Sequence, residues 1–388
     1  MRVLHVIPGL RNSSGPAHAV VNLTEGLGLL GVEVSLYHLD CSSPPNVVRA
    51  SRLVETRAFP VEFPRRWGYS PALTRALRDT VPTFDIVHIH SVWMYPTFTA
   101  ARECESGGVP YVLRPAGSFE PWCLRQNAAA KSHYYRLVER RHMERAAAVH
   151  AMTEQERRNL RQFGVSNDIF VVPHGVPEGS AVSAERCWQF RRRYEIGART
   201  PIVLFLSRLH PKKGLDILTA AFAKVVREIP DAKLLIVGPP AAGYSERLSA
   251  MVKEHGIDQH TIITGELRGT EKWAAYCAAS VFVLPSYSEN FGIVVPEAML
   301  CGLPVVVSRH TPWEEVEEWN AGRWLELIPD LFAEHIVDIL RDPARAREMG
   351  QNGRKLVARK YTWGRIAEKI LRVYENIRGG LRPEAGLQ

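Results

Sequence analysis

Residues 281–308 read VFVLPSYSENFGIVVPEAMLCGLPVVVS. A β-branched apolar run, Val281–Leu284, gives way to a polar loop and then to an apolar helix ending at Cys301-Gly302. A second run, Val305–Val307, follows at once. Two buried strands joined through a helix make the βαβ unit of a parallel sheet. The same alternation continues outward. Ile202–Leu206 and Lys233–Val237 read as strands, and Leu215–Glu228 as a helix with Leu215, Leu218, Phe222 and Val225 on one face. Ile262–Ile263 is a further short strand.

An earlier series repeats the pattern, with strands at Val3–Ile7, Glu33–Tyr37, Asp85–Ile89, Tyr111–Leu113, Ala148–Ala151 and Ile169–Val172. The α/β class follows, as two doubly wound domains facing each other across a cleft. The expected layout is an N-terminal domain over 1–178, a linker over 179–200, a C-terminal domain over 201–360, and a closing helix and tail over 361–388. A hinge is read in Pro173, Gly175, Pro177 and Gly179, followed by a short Arg-rich helix, Glu185–Tyr194.

The chain has 388 residues, 46% hydrophobic and 23% charged, which suits two soluble cores. No apolar run reaches the roughly 20 residues of a membrane span. Met1–Pro8 reads as a first buried strand rather than an export signal, so a cytoplasmic location is expected. The six cysteines are scattered, without a C-x-x-C pair, and read as small core residues in a reducing compartment. Net charge is +8. Residues 1–178 hold 20 basic against 16 acidic residues and the remainder 29 against 25, so each half carries +4 and neither is a nucleic-acid-binding module. The surplus of the first half is concentrated in 125–145, where Arg125, Lys131, Arg136, Arg140, Arg141 and Arg145 face only Glu139 and Glu144. That helix-like stretch suits either an anionic membrane surface or simple solvation.

Two loops carry the chemistry. Ser288–Ala298 places Glu289 just past a strand's C-terminal end and Glu297 about two turns later. Ligands of open α/β sheets bind at that edge. Carboxylates there make sense as acceptors for sugar hydroxyls, with backbone N–H groups of Phe291, Gly292 and Ile293 turned to phosphate. A capping Glu289 and a solvated Glu297 explain the same spacing. Ser207–Gly214 places Arg208 and Lys213 after the strand Ile202–Leu206. Cations at a helix start oppose its dipole unless an anion is bound there. No D-x-D occurs in the sequence, so the usual carboxylate clamp for a nucleotide-bound metal is missing, and protein cations would have to meet the leaving-group charge. In the first half, His88 and His90 share one strand face, and metal binding lacks a third ligand nearby in sequence. Trp93, Tyr95, Phe119 and Trp122 fall in two loops of one sheet edge, where they suit sugar stacking or loop packing equally.

The combination of Arg208, Lys213-Gly214, Glu289-x7-Glu297 and Ala298–Val305 resembles the retaining GT-B glycosyltransferases of family 4, over nearly the whole chain and most specifically between 201 and 310. The resemblance implies a transferase with two Rossmann-like domains, no metal cofactor, and a UDP-, GDP- or ADP-sugar as donor. It assigns Arg208 and Lys213 to the diphosphate, Glu289 to the transferred sugar and Glu297 to the ribose. Gly15, with Ser14, resembles the family's Gly-rich turn. His90, Arg114, Gly117 and Trp122 are the expected contacts of a glycan or polyprenyl-linked acceptor, in polysaccharide synthesis at the inner membrane face. Ala116 stands where many members carry His, and His174 where they carry Asn. A dinucleotide-dependent oxidoreductase is excluded because Gly9 and Gly15 enclose no third glycine. A nucleotide-sugar epimerase or a non-catalytic binder stays compatible.

Overall fold

The computed structural model describes residues 1–388 except 11–14, 41–47, 49–50, 178–182, 242 and 388. The chain divides into two compact units, Met1–Gly175 with Thr362–Gln388, and Val176–Tyr361.

The first unit is built on a parallel sheet of β1 (Arg2–Ile7), β2 (Glu33–Asp40), β3 (Val54–Pro60), β4 (Ile86–His90), β5 (Tyr111–Arg114), β6 (Ala148–Ala151) and β7 (Ile169–Val171), in the order β3-β2-β1-β4-β5-β6-β7. Helices cover both faces, so the central strands are buried on both sides. The C-terminal helix Trp363–Arg378 belongs to this unit and packs on Gly15–Leu29, with Ile366, Ala367, Ile370 and Val373 buried against Val20, Leu23 and Leu27.

The second unit repeats the plan with β8 (Ile202–Leu206), β9 (Lys233–Val237), β10 (Thr261–Gly265), β11 (Val281–Leu284), β12 (Val305–Ser308) and β13 (Gly322–Leu325), in the order β10-β9-β8-β11-β12-β13. Strand order reverses between β8 and β11, and an open α/β sheet leaves its ligand crevice at such a switch point. The loops carrying Arg208 and Glu289 leave these two strands.

Two edge strands, β3 and β13, are absent from the sequence reading. In β3 only Val54 is buried, so hydrophobic alternation had nothing to register. β13 opens on Gly322, where a Cβ would lie 2.2 Å from the carbonyl oxygen of Val305.

Gly214 fixes how the loops after β8 and β11 meet. Its φ is +70°, and a Cβ there would lie 1.8 Å from the carbonyl oxygen of Pro285. Backbone cannot yield as a side chain does. Gly214→Ala is expected to destabilise the second unit by roughly 1–3 kcal/mol, measured by urea denaturation, and to weaken nucleotide binding in parallel. Wild-type stability in the variant would show that the two loops are not held in contact.

Candidate active site

The loop after β8 is drawn to its neighbours by backbone bonds. Ser207 donates to Val237 O (3.1 Å) and Leu209 to Pro239 O (2.9 Å). His210 accepts the Lys212 N–H at 3.1 Å, closing the turn Pro211–Lys213. Arg208 projects to solvent with no carboxylate partner among the described residues. Lys213 is only 9% exposed. The His210 imidazole is held below its ordinary range, first by burial and then by Arg208, Lys213 and Lys212, so the loop carries a concentrated positive field.

Lys213 is paired with Glu289 in a direct salt bridge, and Ser286 Oγ donates to the same Glu289 oxygen at 2.8 Å. The loop backbone is anchored on both sides: Tyr287 N–H donates to Lys212 O (2.8 Å) and Glu289 N–H to His310 O (3.2 Å). Ser308 Oγ donates to Ser286 O at 2.5 Å, and Trp313 Nε1 to Phe291 O at 2.6 Å. Gly292 has φ +74°. Ile293 precedes the helix Val294–Leu300, whose cap receives no side-chain bond, so Glu289 is not a cap.

Glu297 is not solvated either, being 5% exposed. Lys272 Nζ donates to its Oε1 at 2.5 Å, and the fully buried Tyr276 hydroxyl to its Oε2 at 2.9 Å. Burial and the Glu297 charge together push the Tyr276 phenol well up, so it remains a donor. Lys272 and Tyr276 sit one turn apart on the helix Gly269–Ala278. They are the side chains of the candidate site that sequence reasoning missed. Their i, i+4 spacing was visible, but nothing in it named a carboxylate on another helix as the partner.

The structure thus brings Arg208, Lys213, Glu289, Phe291, Gly292, Ile293 and Glu297 to the C-terminal edge of one sheet. Each carboxylate is held by a lysine and a hydroxyl, while Arg208 stays open to an anion. A planar five-donor guanidinium suits diphosphate oxygens.

The expected acceptor residues, and Gly15 of the expected donor-binding turn, lie in the first unit and do not form one group. Gly15 begins the helix Gly15–Leu29, and nothing lies within 4 Å of a Cβ placed on it. Ser14 is outside the described residues. Trp122 is 40% exposed on the short helix Pro121–Arg125. Gly117, at φ +82°, donates its N–H to the buried Glu156 at 2.5 Å. Arg114 and His90, by contrast, are each 3% exposed and belong to the interior.

There they end a chain of hydrogen bonds. Arg114 Nη1 lies 3.5 Å from His90 Nδ1, and His90 Nε2 lies 2.9 Å from His5 Nδ1. Tyr374 Oη lies 3.5 Å from His5 Nε2 and 2.7 Å from His88 Nδ1. His88 Nε2 meets His150 Nδ1 at 3.3 Å, and His150 Nε2 reaches Val172 O at 2.7 Å. The guanidinium can only donate and the carbonyl can only accept. Both ends therefore fix the direction, and every bond is satisfied if all four imidazoles are neutral and carry the proton on Nε2. Burial lowers the pKa of all four, and of His174 beside Arg114. Arg114 itself is pushed down to about 10 by burial.

His5 is also the third histidine that the sequence did not reveal. It pairs in register with His88 across β1 and β4, and His5, His88 and His90 offer nitrogens within 4.8 Å of one another. Register between strands is not written in either strand alone. Their ring nitrogens are already used by one another, Tyr374, His150 and Arg114, so an ion would have to break this chain beside a buried guanidinium.

Comparison with known proteins agrees with this architecture. The family described as glycosyl transferases group 1 matches residues 187–356, and the glycosyl transferase 4-like domain matches 14–175. The chain belongs to glycosyltransferase family 4. It is 34% identical over 223 residues to a GDP-mannose-dependent alpha-(1-6)-phosphatidylinositol monomannoside mannosyltransferase of Mycolicibacterium smegmatis, a match covering 54% of this chain and 57% of that protein. The match therefore spans just over half the length of that curated relative. A D-inositol 3-phosphate glycosyltransferase of Kineococcus radiotolerans is 28% identical over 95% of this chain and 91% of its own. Among solved structures, sucrose-phosphate synthase from Thermosynechococcus elongatus aligns with TM-score 0.74 at 23% identity, over 98% of this chain and 100% of its own. HepE of Anabaena, in complex with UDP and glucose, aligns with TM-score 0.75 at 17% identity, over 97% and 100%. These neighbours give this family 4 member the GT-B fold.

Proposed function

We propose that the protein transfers a sugar from a UDP-, GDP- or ADP-sugar to a glycan or lipid-linked acceptor, with retention of anomeric configuration and without a metal ion. The observation that carries this reading is the edge of β8 and β11, where open Arg208 and paired Lys213 stand beside two carboxylates already neutralised by lysines. Arg208 and Lys213 take up the charge of the departing diphosphate, as preorganised cations cost no reorganisation during reaction. Glu289 orients a sugar hydroxyl and Glu297 the ribose. Retention follows if the acceptor attacks from the face that the diphosphate leaves. The relatives' printed names favour a GDP-mannose or inositol-type chemistry, and one structural neighbour holds UDP.

Thermal-shift titration with UDP, GDP, ADP and their sugars, followed by nucleotide release in excess EDTA, tests the reading. Stabilisation by one diphosphate and turnover without metal are expected. Release that requires added Mg²⁺ would contradict the metal-independent scheme.

A peripheral membrane contact is part of the proposal, on a smaller surface than the charge count alone implied. Arg141 and Arg145 pair with Glu105, and Arg140 with Glu144. Arg125 and Arg136 remain exposed, beside Trp122 and Leu137, which are 40% and 80% exposed. No helix among the described residues is long and apolar enough to cross a membrane. Co-sedimentation with phosphatidylglycerol vesicles at low salt is expected, falling as ionic strength rises. Absence of binding at low salt would remove the membrane from the account.

A further inference from the structure

Trp313 is the largest fully buried side chain among the described residues, and the proposed chemistry gives it no part. It lies between β12 and the short helix Glu315–Glu318. An indole carries one N–H donor and no acceptor. Here that N–H donates to the Phe291 carbonyl at 2.6 Å.

The ring is caged. Its centroid lies 5.1 Å from that of Phe291 and 5.1 Å from that of Tyr361. Tyr361 is fixed in turn, its hydroxyl donating to Glu315 Oε1 at 2.5 Å while Lys360 Nζ reaches Oε2 at 2.6 Å. The same segment holds the donor loop a second time, since His310 O accepts the Glu289 N–H at 3.2 Å. One donor and one acceptor from a single segment thus grip residues 289 and 291 together.

Gripping the carbonyl also aims the amide behind it. The Phe291–Gly292 peptide is trans and planar, so its C=O and N–H point in opposite directions. Drawing the carbonyl to the buried indole turns the Gly292 N–H away from it. Gly292 is half-buried at φ +74°, and its N–H meets no acceptor among the described residues. A Cβ on Gly292 would lie 3.5 Å from Glu289 Cγ and 3.5 Å from Trp313 Nε1, so the turn packs against both. Glu289 is the partner of Lys213.

We propose that Trp313 is a positioning residue for sugar transfer. By holding the Phe291 carbonyl, it makes the Gly292 N–H a fixed donor to an oxygen of the nucleotide sugar's diphosphate. The inference rests on the proposed function and adds to it a residue that never touches the substrate. Arg208 and Lys213 supply charge, and the amide supplies direction. A dipole already aimed at the leaving group needs no reorganisation as charge develops. Without the indole the 291–292 peptide can rotate, and the amide loses its aim while both cations stay in place.

Two substitutions separate the N–H from the ring. Trp313→Phe keeps an aromatic ring against Phe291 and Tyr361 but removes the donor. Trp313→His loses the benzo ring, yet its Nε2–H can overlay the indole N–H. At a temperature where the variant is fully folded, Trp313→Phe should lower kcat/KM for the nucleotide sugar by about 10–100-fold, at or below the usual cost of deleting a preorganised donor. Trp313→His should recover most of that loss although it melts lower. Activity that follows stability instead, with the His variant worse than the Phe variant, would overturn the proposal.

The amide can also be read in the unaltered protein. Phe-Gly occurs only at 163–164 and 291–292, so labelling with ¹³C′-Phe and ¹⁵N-Gly leaves two amide signals. Phe163→Leu removes one of them and assigns the other to Gly292. Saturation with whichever of UDP, GDP or ADP binds should shift the Gly292 signal downfield and slow its exchange with solvent, while Gly164 stays unmoved. An unmoved Gly292 signal in protein that binds the nucleotide would overturn this proposal alone. Protein that binds no nucleoside diphosphate would overturn the proposed function, and this inference with it.

Discussion

Arg208→Ala and Lys213→Ala are each expected to lower turnover by about 10²–10³-fold, the usual cost of one preorganised donor to a developing charge. The two variants should differ in stability. Arg208 is exposed and unpaired with any carboxylate among the described residues, so its removal leaves the fold unchanged. Lys213 is nearly buried against Glu289, whose side chain is 9% accessible. Its loss strands a buried carboxylate and costs on the order of 3–5 kcal/mol. A Lys213→Met, Glu289→Gln double variant should recover most of that stability without recovering turnover. kcat and kcat/KM should fall together, because the interaction strengthens in the transition state. Near-normal turnover in both single variants would contradict the role of the cations.

The second large effect is on pH. His5, His88, His90 and His150 are buried, His174 is half-buried beside Arg114, and all five are neutral, with pKa values lowered from 6.5, to about 3 for His5 and His150. A group whose folded pKa is depressed binds its proton more readily when unfolded. Stability is therefore complete above about 6.5 and is lost as pH falls from there towards 3. At pH 5.5 each of the four buried histidines costs on the order of 1 kcal/mol, so the chain as a whole loses a large share of a domain's stability. The loss belongs to the first unit. In the second, among the described residues, only His210 is shifted down. Hydrogen exchange, corrected for intrinsic rate, should show peptides of β1, β4 and β6 losing protection between pH 7 and pH 5.5 while those of β8 and β11 keep theirs. Equal losses in both units would contradict the neutral-chain assignment.

The sequence declared most of the fold because the buried strands of a parallel sheet are apolar runs that need no context. β3, solvent-facing along most of its length, and β13, opening on glycine, carried no such run. The site was legible in its residues but not in its pairings. Arg208, Lys213, Glu289 and Glu297 were visible from their place after strands. That Lys213 is held by Glu289, and Glu297 by Lys272 and Tyr276, depends on which loops the fold brings together. The histidine chain was hidden for the same reason. Its members come from β1, β4, β6 and the C-terminal helix, and only strand register and helix packing align them.

The proposed chemistry is tested most directly by following the sugar itself. With the nucleotide sugar that gives the largest thermal shift, in excess EDTA, ¹H NMR should show the α-anomer appearing first from an α-linked donor, ahead of mutarotation. First appearance of the β-anomer would contradict retention, and the absence of any release until metal is restored would contradict the reliance on Arg208 and Lys213.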